Sequence, residues 1–428
     1  MKILMFGWEF PPHISGGLGT ACYGLTKGLS EIEDVDLTFV VPKAFGDEDP
    51  SAMKLIGANT VPVSRKNIHF ENAEKSMDYL EVDSLIVPYV SQDEFWKYKS
   101  GKYPRKTRFI ETDEGLRIQF SGDYGAGLLE EISNYALVAE IIAADNNFDI
   151  IHAHDWLAYP AGLAAKRASG KPLIVHVHAT DFDRSGGSVN PRVYAIEREG
   201  MEAADKVITV SNLTRDTVIN KYGIDPKKVE TVYNAVEPVD DKPGTLPPKG
   251  INEKVVTFLG RITMQKGPEY FIEAASLVLR KMKNVRFVMA GSGDMHEAMI
   301  ARTAELGIAD RFHFTGFLKG NDVNDLFRMT DVFVMPSVSE PFGIVPLEAM
   351  QLNVPVIISN QSGVAEVIEN AIKIDFWDTF AMADSIFGIL SYPSLSEHFR
   401  EEGKQEVDNF RWVNSARSVK KIYESVLA

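Results

Sequence analysis

The sequence is poor in cysteine, in basic charge and in long apolar runs. Cys22 is the single cysteine among 428 residues, which excludes an intrachain disulfide and a four-thiolate zinc site and favours a reducing compartment. No apolar stretch approaches the roughly 18 residues of a membrane-spanning helix. The 45 Lys and Arg face 60 Asp and Glu, a net charge of −15 that disfavours nucleic-acid and anionic-membrane binding. We therefore expect a cytoplasmic protein without an integral membrane segment.

Short apolar runs alternate with amphipathic stretches along most of the chain, a pattern typical of buried parallel strands joined by helices. At about 150 residues per domain, the length allows two or three domains. The predicted strands are Ile3–Phe6, Leu37–Val41, Ile150–Ala153, Leu173–Val177 and Val207–Val210, then Val255–Leu259, Arg286–Ala290, Arg311–Thr315, Val332–Met335 and Val356–Ile358. The fold class is therefore α/β, with two doubly wound, Rossmann-like domains.

A polar, proline-rich stretch from Pro238 to Pro248 divides the two sets of strands, because it continues neither a helix nor a central strand. It predicts domains over residues 1–238 and 239–409, followed by a terminal helix over 410–428. Residues 58–132 fit the repeat poorly and are predicted to be an insertion in the first domain. Since ligands of open parallel sheets bind beyond the carboxyl ends of the strands, we expect the site in a cleft between the domains.

Three segments at predicted strand ends have the composition of a ligand site. The first is a glycine-rich turn containing Gly16, Gly17 and Gly19, just ahead of a helix predicted from Ala21. N–H groups at a helix N-terminus bind anions, although a purely structural turn explains the glycines equally well.

The second segment is Leu259–Gly267, in which Arg261 and Lys266 follow a strand and precede a helix. A planar guanidinium and a compact ammonium suit a pyrophosphate and can stabilise a departing diphosphate without a metal. The alternative is a pair of solvated surface cations.

The third segment, Pro336–Met350, places Glu340 in a loop and Glu348 in a helix predicted to start at Phe342 or Gly343. In that arrangement, phosphate or sugar oxygens would be bound by the N–H groups of Gly343, Ile344 and Val345. A carboxylate in a first helical turn can also be there only because it interacts favourably with the helix dipole.

Together and in this order, the three segments resemble the retaining GT-B glycosyltransferases of group 1, family 4 type, which include sucrose-phosphate synthases, mannosyltransferases and glycogen synthases. The opening Gly-Trp-Glu-Phe-Pro-Pro, the Gly-Gly-Leu-Gly turn and the His-Ala-His-Asp-Trp segment are most similar to glycogen and starch synthases. Glu348 departs from the Tyr of typical bacterial ADP-glucose synthases, which leaves the donor base (ADP, UDP or GDP) open.

The resemblance implies a role for each matching residue. Arg261 and Lys266 would hold the diphosphate, Glu340 the donor-sugar hydroxyls, Glu348 the ribose, and the Gly16 and Gly17 backbone the phosphate and sugar. His178 would face the reacting sugar, whereas His176 is expected in the core. His154 and Asp155 would belong to the acceptor side.

Aromatic residues of the predicted insertion, among them Tyr124, are expected to stack on an acceptor sugar chain, the alternative being that they fill a local core. The other three are Trp96, Tyr98 and Tyr103. A different alternative concerns the two His-x-His pairs, which on neighbouring strands would suit a metal ion and hence a metallohydrolase.

The sequence thus predicts a retaining transferase that moves a hexose, glucose in our reading, from a nucleotide diphosphate sugar to an α-glucan hydroxyl. No cofactor and no metal are expected. No pair of carboxylates is recognisable as the nucleophile and acid/base of a double displacement. The alternatives are a single-transfer relative of sucrose-phosphate synthase, a nucleotide-sugar epimerase, a metallohydrolase and an inactive sugar sensor.

Overall fold

The computed structural model describes residues 1–14, 16–49, 51, 53–63, 109–112, 115–125, 127–239 and 253–428. Two separate parallel sheets dominate this part of the chain, and a small antiparallel hairpin accompanies the first. The predicted α/β class is confirmed. Within the described residues, no helix is both long enough and apolar enough to cross a bilayer.

The first sheet has seven strands in the order β3-β2-β1-β6-β7-β8-β9. They are β1 (Lys2–Phe6), β2 (Asp36–Val41), β3 (Lys54–Gly57), β6 (Ile150–His154), β7 (Leu173–Val177), β8 (Lys206–Thr209) and β9 (Val229–Thr231). The hairpin consists of β4 (Phe109–Thr112) and β5 (Gly115–Ile118). Its Leu116 carbonyl accepts a hydrogen bond from Val63 N at 2.6 Å.

The second sheet has six strands in the order β12-β11-β10-β13-β14-β15. They are β10 (Lys254–Leu259), β11 (Val285–Ala290), β12 (Phe312–Gly316), β13 (Val332–Met335), β14 (Val356–Ser359) and β15 (Ile372–Ile374). The ten predicted strands lie within one residue of observed ones. The observed β3, β9 and β15 were not predicted, because three- and four-residue edge strands leave little periodicity to detect.

Helices cover both sheets and bury their apolar faces against them. They are α1 (Gly17–Ser30), α2 (Leu128–Asp145), α3 (Asp155–Ser169), α4 (Asp181–Ser185), α5 (Pro191–Ala203), α6 (Asn212–Tyr222), α7 (Pro268–Lys281), α8 (His296–Glu305), α9 (Asn321–Met329), α10 (Val345–Gln351), α11 (Thr379–Ser391), α12 (Pro393–Val407) and α13 (Trp412–Leu427).

The predicted insertion is described only in part. Its Trp96, Tyr98 and Tyr103, like the linker residues 240–248, lie outside the described residues. Tyr124 belongs to the first core, is 5% exposed, and its ring centroid lies 6.3 Å from that of Trp8. The expectation that Tyr124 offers an exposed face to a sugar chain is therefore wrong, because the ring is buried against Trp8.

The last helix, α13, packs against α1 on one face of the first sheet. Trp412 at its start fills the space above two glycines of α1: a Cβ at Gly24 would lie 2.2 Å from the indole ring, and one at Gly28 would lie 2.6 Å from the Trp412 carbonyl oxygen. The Ser415 hydroxyl donates to the Tyr233 carbonyl oxygen at 2.7 Å. The chain therefore returns to the first domain after completing the second sheet.

We expect Trp412→Ala to lower the free energy of unfolding by about 3–5 kcal/mol, because it leaves a cavity between α13 and α1. Trp377→Ala is the matched control, since Trp377 is 57% exposed and substitutions at exposed positions change the free energy of unfolding by only about 0.5 kcal/mol. Urea unfolding followed by circular dichroism gives both values. Equal effects of the two substitutions would contradict the packing described for α13.

Candidate active site

The carboxyl ends of the two sheets meet at a direct contact between the domains. The Ser339 hydroxyl, in the loop after β13, donates to Asp183 Oδ1 of α4 at 2.6 Å. Beside it, the Met264 side chain packs against Gly186, at 2.5 Å from where a Cβ would stand. The segments after β7, β10 and β13 therefore form one continuous cleft floor.

A buried ion pair occupies this floor. Lys266 Nζ contacts Glu340 Oε2, and the Ser337 hydroxyl donates to the same oxygen at 3.1 Å. Glu340 is 7% exposed, so these two partners replace hydrogen bonds to water that the carboxylate has lost. Gly267 permits the approach of the two segments, because its φ is +63° and a Cβ there would lie 2.1 Å from the Pro336 carbonyl oxygen.

Gln265 joins the two segments and was missed in the sequence. Its side-chain oxygen accepts from Arg261 Nη2 at 3.0 Å, and its amide nitrogen donates to the Ser339 carbonyl at 3.1 Å. Gln265 thus fixes the Arg261 guanidinium at the strand end. Nothing in the sequence distinguishes it from the other residues between Arg261 and Lys266.

The helix after Glu340 begins later than predicted. α10 starts at Val345, so Gly343 and Ile344 lie in the preceding loop, where Gly343 has φ +99°. The predicted helix start at Phe342 or Gly343 is therefore wrong by two or three residues, whereas donor binding by the N–H groups of Gly343, Ile344 and Val345 stays a prediction. Glu348 is the fourth residue of α10, and burial raises its pKa to about 7.

The helix after the glycine-rich turn begins earlier than predicted. α1 begins at Gly17 with Gly16 as its N-cap, four residues earlier than expected. A Cβ at either glycine would have no heavy atom within 4 Å, so open space lies in front of this backbone. Further along, Gly19 N donates to the buried Glu9 carboxylate at 3.1 Å, which removes that N–H from anion binding.

His178 lies just beyond β7, at the carboxyl edge of the first sheet. Its backbone N–H donates to Asp155 Oδ1 at 2.8 Å, and Ala179 N donates to the same oxygen at 3.3 Å. His178 Nε2 lies 2.9 Å from His154 Nδ1. Burial lowers the pKa of His178 to about 3, so the imidazole is neutral at neutral pH.

His154 and Asp155 have a different role from the predicted one. Both are buried, at 0% and 1% exposed, and neither reaches the open cleft. Asp155 adopts φ +59°, a backbone conformation that Asn and Asp tolerate better than most residues. Burial raises its pKa to about 6. The structure therefore corrects the predicted acceptor contact: these residues hold His178.

Three histidines, His152, His154 and His176, stack beneath His178. The ring planes of His152 and His176 are 9° apart with centroids 5.4 Å apart, and His176 is 2% exposed, which confirms its predicted place in the core. Burial lowers the pKa of His152, His154 and His176 well below the usual range. Ligand nitrogens of these three residues lie within 4.8 Å of one another, but nearly parallel rings direct their in-plane lone pairs side by side rather than toward one point.

Two family models match the chain. The model of the glycosyl transferases group 1 matches residues 246–406, and that of glycosyltransferase family 4 matches residues 119–239. The first match contains Arg261, Lys266 and Glu340, and the second contains His178. The chain is therefore a glycosyltransferase with a group 1 domain and a family 4 domain.

Three relatives of this glycosyltransferase match it over different fractions of its length. An uncharacterised glycosyltransferase of Methanocaldococcus jannaschii is 28% identical over 99% of this chain and 98% of its own length. The alpha-maltose-1-phosphate synthase of Mycolicibacterium smegmatis is 29% identical over 65% of this chain and 79% of its own. The glycogen synthase of Mycobacterium tuberculosis is 23% identical over 99% and 94%.

Solved structures share the fold of the glycosyltransferase. Sucrose-phosphate synthase from Thermosynechococcus elongatus has a TM-score of 0.71 at 17% identity, over 99% of this chain and 98% of that one. HepE of Anabaena, solved in complex with UDP and glucose, has a TM-score of 0.66 at 17% identity, over 99% and 100%. The architecture is therefore GT-B, as predicted.

Asp155→Asn keeps the shape and the backbone preference of residue 155 but removes the charge that accepts the two N–H groups. We expect the glycosyl-transfer kcat to fall about tenfold, the cost of weakening a hydrogen bond to a charged group, and to fall further in Asp155→Ala, which leaves both buried N–H groups unpaired. Initial rates with each variant test this order. Asp145→Asn, an exposed residue at the end of α2, is the control and should keep wild-type kinetics.

Proposed function

We propose that this glycosyltransferase moves a hexose, glucose in our reading, from a nucleotide diphosphate sugar to the hydroxyl of an α-glucan with retention of the α-configuration. The observation that carries the proposal is the hydrogen bond between Ser339 and Asp183. It brings the Lys266–Glu340 pair of the second domain and the segment following His178 of the first domain to one cleft floor. A site built from both domains suits two substrates, one on each side.

The donor fits the second domain. Arg261 and Lys266 at the end of β10 supply two cations for a diphosphate. Glu340 supplies a carboxylate for sugar hydroxyls, and Glu348 one for a ribose. The GT-B structure of HepE, which was solved with UDP and glucose, supports a nucleotide-sugar donor, although it leaves the base open for this chain.

The mechanism we propose is front-face transfer. The acceptor oxygen forms a bond to the anomeric carbon as the bond from that carbon to the diphosphate oxygen breaks, both on the same face of the sugar. The departing phosphate oxygen takes the acceptor proton, while Arg261 and Lys266 stabilise its growing negative charge. We propose that neutral His178 hydrogen-bonds a sugar hydroxyl through Nδ1, which is buried and has no hydrogen-bond partner among the described residues. These groups need no metal, and we propose that none is required.

The acceptor is proposed from the relatives. Similarity to a glycogen synthase over 99% of the chain supports an α-glucan. A relative named alpha-maltose-1-phosphate synthase supports a second candidate, a single transfer to a phosphorylated sugar. Family membership gives no support to the metallohydrolase alternative. We also propose that the protein acts in the cytoplasm, because its single cysteine fits a reducing compartment.

The deciding experiment incubates the protein with ADP-, UDP- and GDP-glucose, each with water, maltooligosaccharides or glucose 1-phosphate, with and without EDTA. Elongated maltooligosaccharides of α-configuration, formed equally well with EDTA, are expected. A phosphorylated disaccharide as the sole product would select the second candidate. Metal-reversible loss of activity in EDTA would contradict the metal-free mechanism, and a β-linked product would contradict retention.

We expect Lys266→Ala to lower kcat by about 10²–10³-fold while changing the affinity for the donor far less, because charge on the leaving phosphate grows in the transition state. Steady-state kinetics and titration calorimetry separate the two quantities. Lys281→Ala, an exposed lysine of the same domain, serves as the control. An equal loss in donor affinity with kcat unchanged would mean that Lys266 acts only in ground-state binding.

Glu348 makes donor binding depend on pH. With a pKa of about 7, the carboxyl is mostly protonated at pH 6 and mostly ionised at pH 8, and only the ionised form accepts hydrogen bonds from two ribose hydroxyls at full strength. The dissociation constant of a nucleotide sugar should therefore fall about tenfold from pH 6 to pH 8. Glu348→Gln should flatten this profile. A nucleotide sugar is the right probe, because its phosphates do not titrate in this range.

A further inference from the structure

A carboxylate of the second domain caps a helix of the first. Glu366 ends the short 3₁₀ turn Gly363–Glu366 that follows β14. Its two oxygens accept the N–H groups of Asn212 at 2.9 Å and Leu213 at 2.8 Å, the first two residues of α6. The Tyr233 hydroxyl donates to Glu366 Oε2 at 2.9 Å. Three donors of the first domain thus meet one side chain of the second.

On its other side, the same loop is bonded to residues 340–342, called here the Glu340 segment. Glu340 N donates to the Gln361 carbonyl at 2.9 Å, and Gly363 N donates to the Glu340 carbonyl at 2.9 Å. Val364 N donates to the Phe342 carbonyl at 2.7 Å. The backbone on both sides of the Glu340 side chain is therefore fixed by residues 361–364.

Gly363 lies in close contact with residues on both sides of the loop. A Cβ at this position would lie 2.2 Å from the Pro341 carbonyl oxygen and 2.5 Å from the Ser211 Cβ. Ser211 is the N-cap of α6, so the loop is pressed between the start of α6 and the Glu340 segment. A movement of α6 relative to the second sheet must displace the loop, and with it the backbone of Glu340.

We propose that Glu366 is an interdomain clamp, a positioning residue that holds the Glu340 segment in place relative to the first domain. The first N–H groups of α6 have no partner within the helix and carry partial positive charge, which a carboxylate complements. Glu366 is exposed, so the clamp weakens as salt screens this attraction. The link to catalysis rests on the proposed function, in which Glu340 binds the donor sugar.

The first test separates positioning from general stability. Glu366→Ala should weaken binding of the nucleotide sugar about tenfold, because the Glu340 backbone loses one of its supports. Binding of the corresponding nucleoside diphosphate should stay within about twofold, since Arg261 follows β10 and Glu348 lies within α10, beyond the Glu340 and Phe342 backbone that residues 361–364 hold. Glu366→Gln, which retains an accepting oxygen, should recover part of the loss. An equal loss for both ligands would overturn the positioning role.

Glu369→Ala is the matched control. Glu369 lies three residues further on and is exposed, and among the described residues its side chain has no hydrogen-bond or ion-pair partner. The Glu369→Ala variant should bind both the nucleotide sugar and the nucleoside diphosphate as tightly as the wild type does. Raising the salt concentration should weaken nucleotide-sugar binding more in the wild type than in Glu366→Ala, because only the wild type has the clamp carboxylate for salt to screen.

The second test does not depend on activity. Fluorophores on Asp216→Cys of α6 and Asp384→Cys of α11 report the distance between the domains by single-molecule energy transfer. Both native side chains are exposed, and Cys22 is buried, so labelling is confined to the new cysteines. The distance distribution should broaden in Glu366→Ala and stay unchanged in Glu369→Ala.

The two tests fail separately from the proposed function. An unchanged distribution in Glu366→Ala would overturn the clamp even if glycosyl transfer is found. A broadened distribution without transfer from any donor tested would support the clamp and overturn the proposed function.

Discussion

Burying the Glu340 carboxylate is the constraint on which the rest of the site depends. A charge so nearly removed from water is tolerated only when cations and hydroxyls replace the lost hydration. Lys266 and Ser337 do so, and each comes from a different strand end. The ends of β10 and β13 must therefore be held together, which explains Gly267 under the Pro336 carbonyl and the Gln265 bridge.

The first domain contains a second group of buried polar side chains, which also hold one another in place at a strand end. His178 is held from its backbone by Asp155 and from its ring by His154. The histidines below are neutral, so stacking them costs no charge repulsion. His152 Nδ1 lies 2.6 Å from the hydroxyl of Tyr423 on α13. A chain of contacting side chains thus leads from His178 through the other imidazoles to Tyr423 on α13.

Sequence periodicity predicted the fold well because both sheets are parallel and covered by helices. Their inner strands are therefore buried on both faces and appear in the sequence as short apolar runs. The composition of two segments at predicted strand ends drew attention to Lys266 and Glu340, which the fold brings into contact. Prediction from the sequence failed where a role depends on contacts distant in sequence. Glu9 at Gly19, Gln265 at Ser339 and Glu366 at α6 are ordinary polar residues until the fold brings their partners close. Helix starts were misplaced for a local reason, since glycines allow both α1 to begin early and α10 to begin late.

The return of α13 to the first domain has a consequence for biosynthesis. The face of the first sheet that includes Ile3 and Met5 is covered partly by α1 and partly by Val419 and Ile422 of α13. Translation makes α13 after the entire second sheet. A nascent chain therefore carries an uncovered apolar face on the first sheet until α13 leaves the ribosome, and all six strands of the second sheet are synthesised before the first domain is closed.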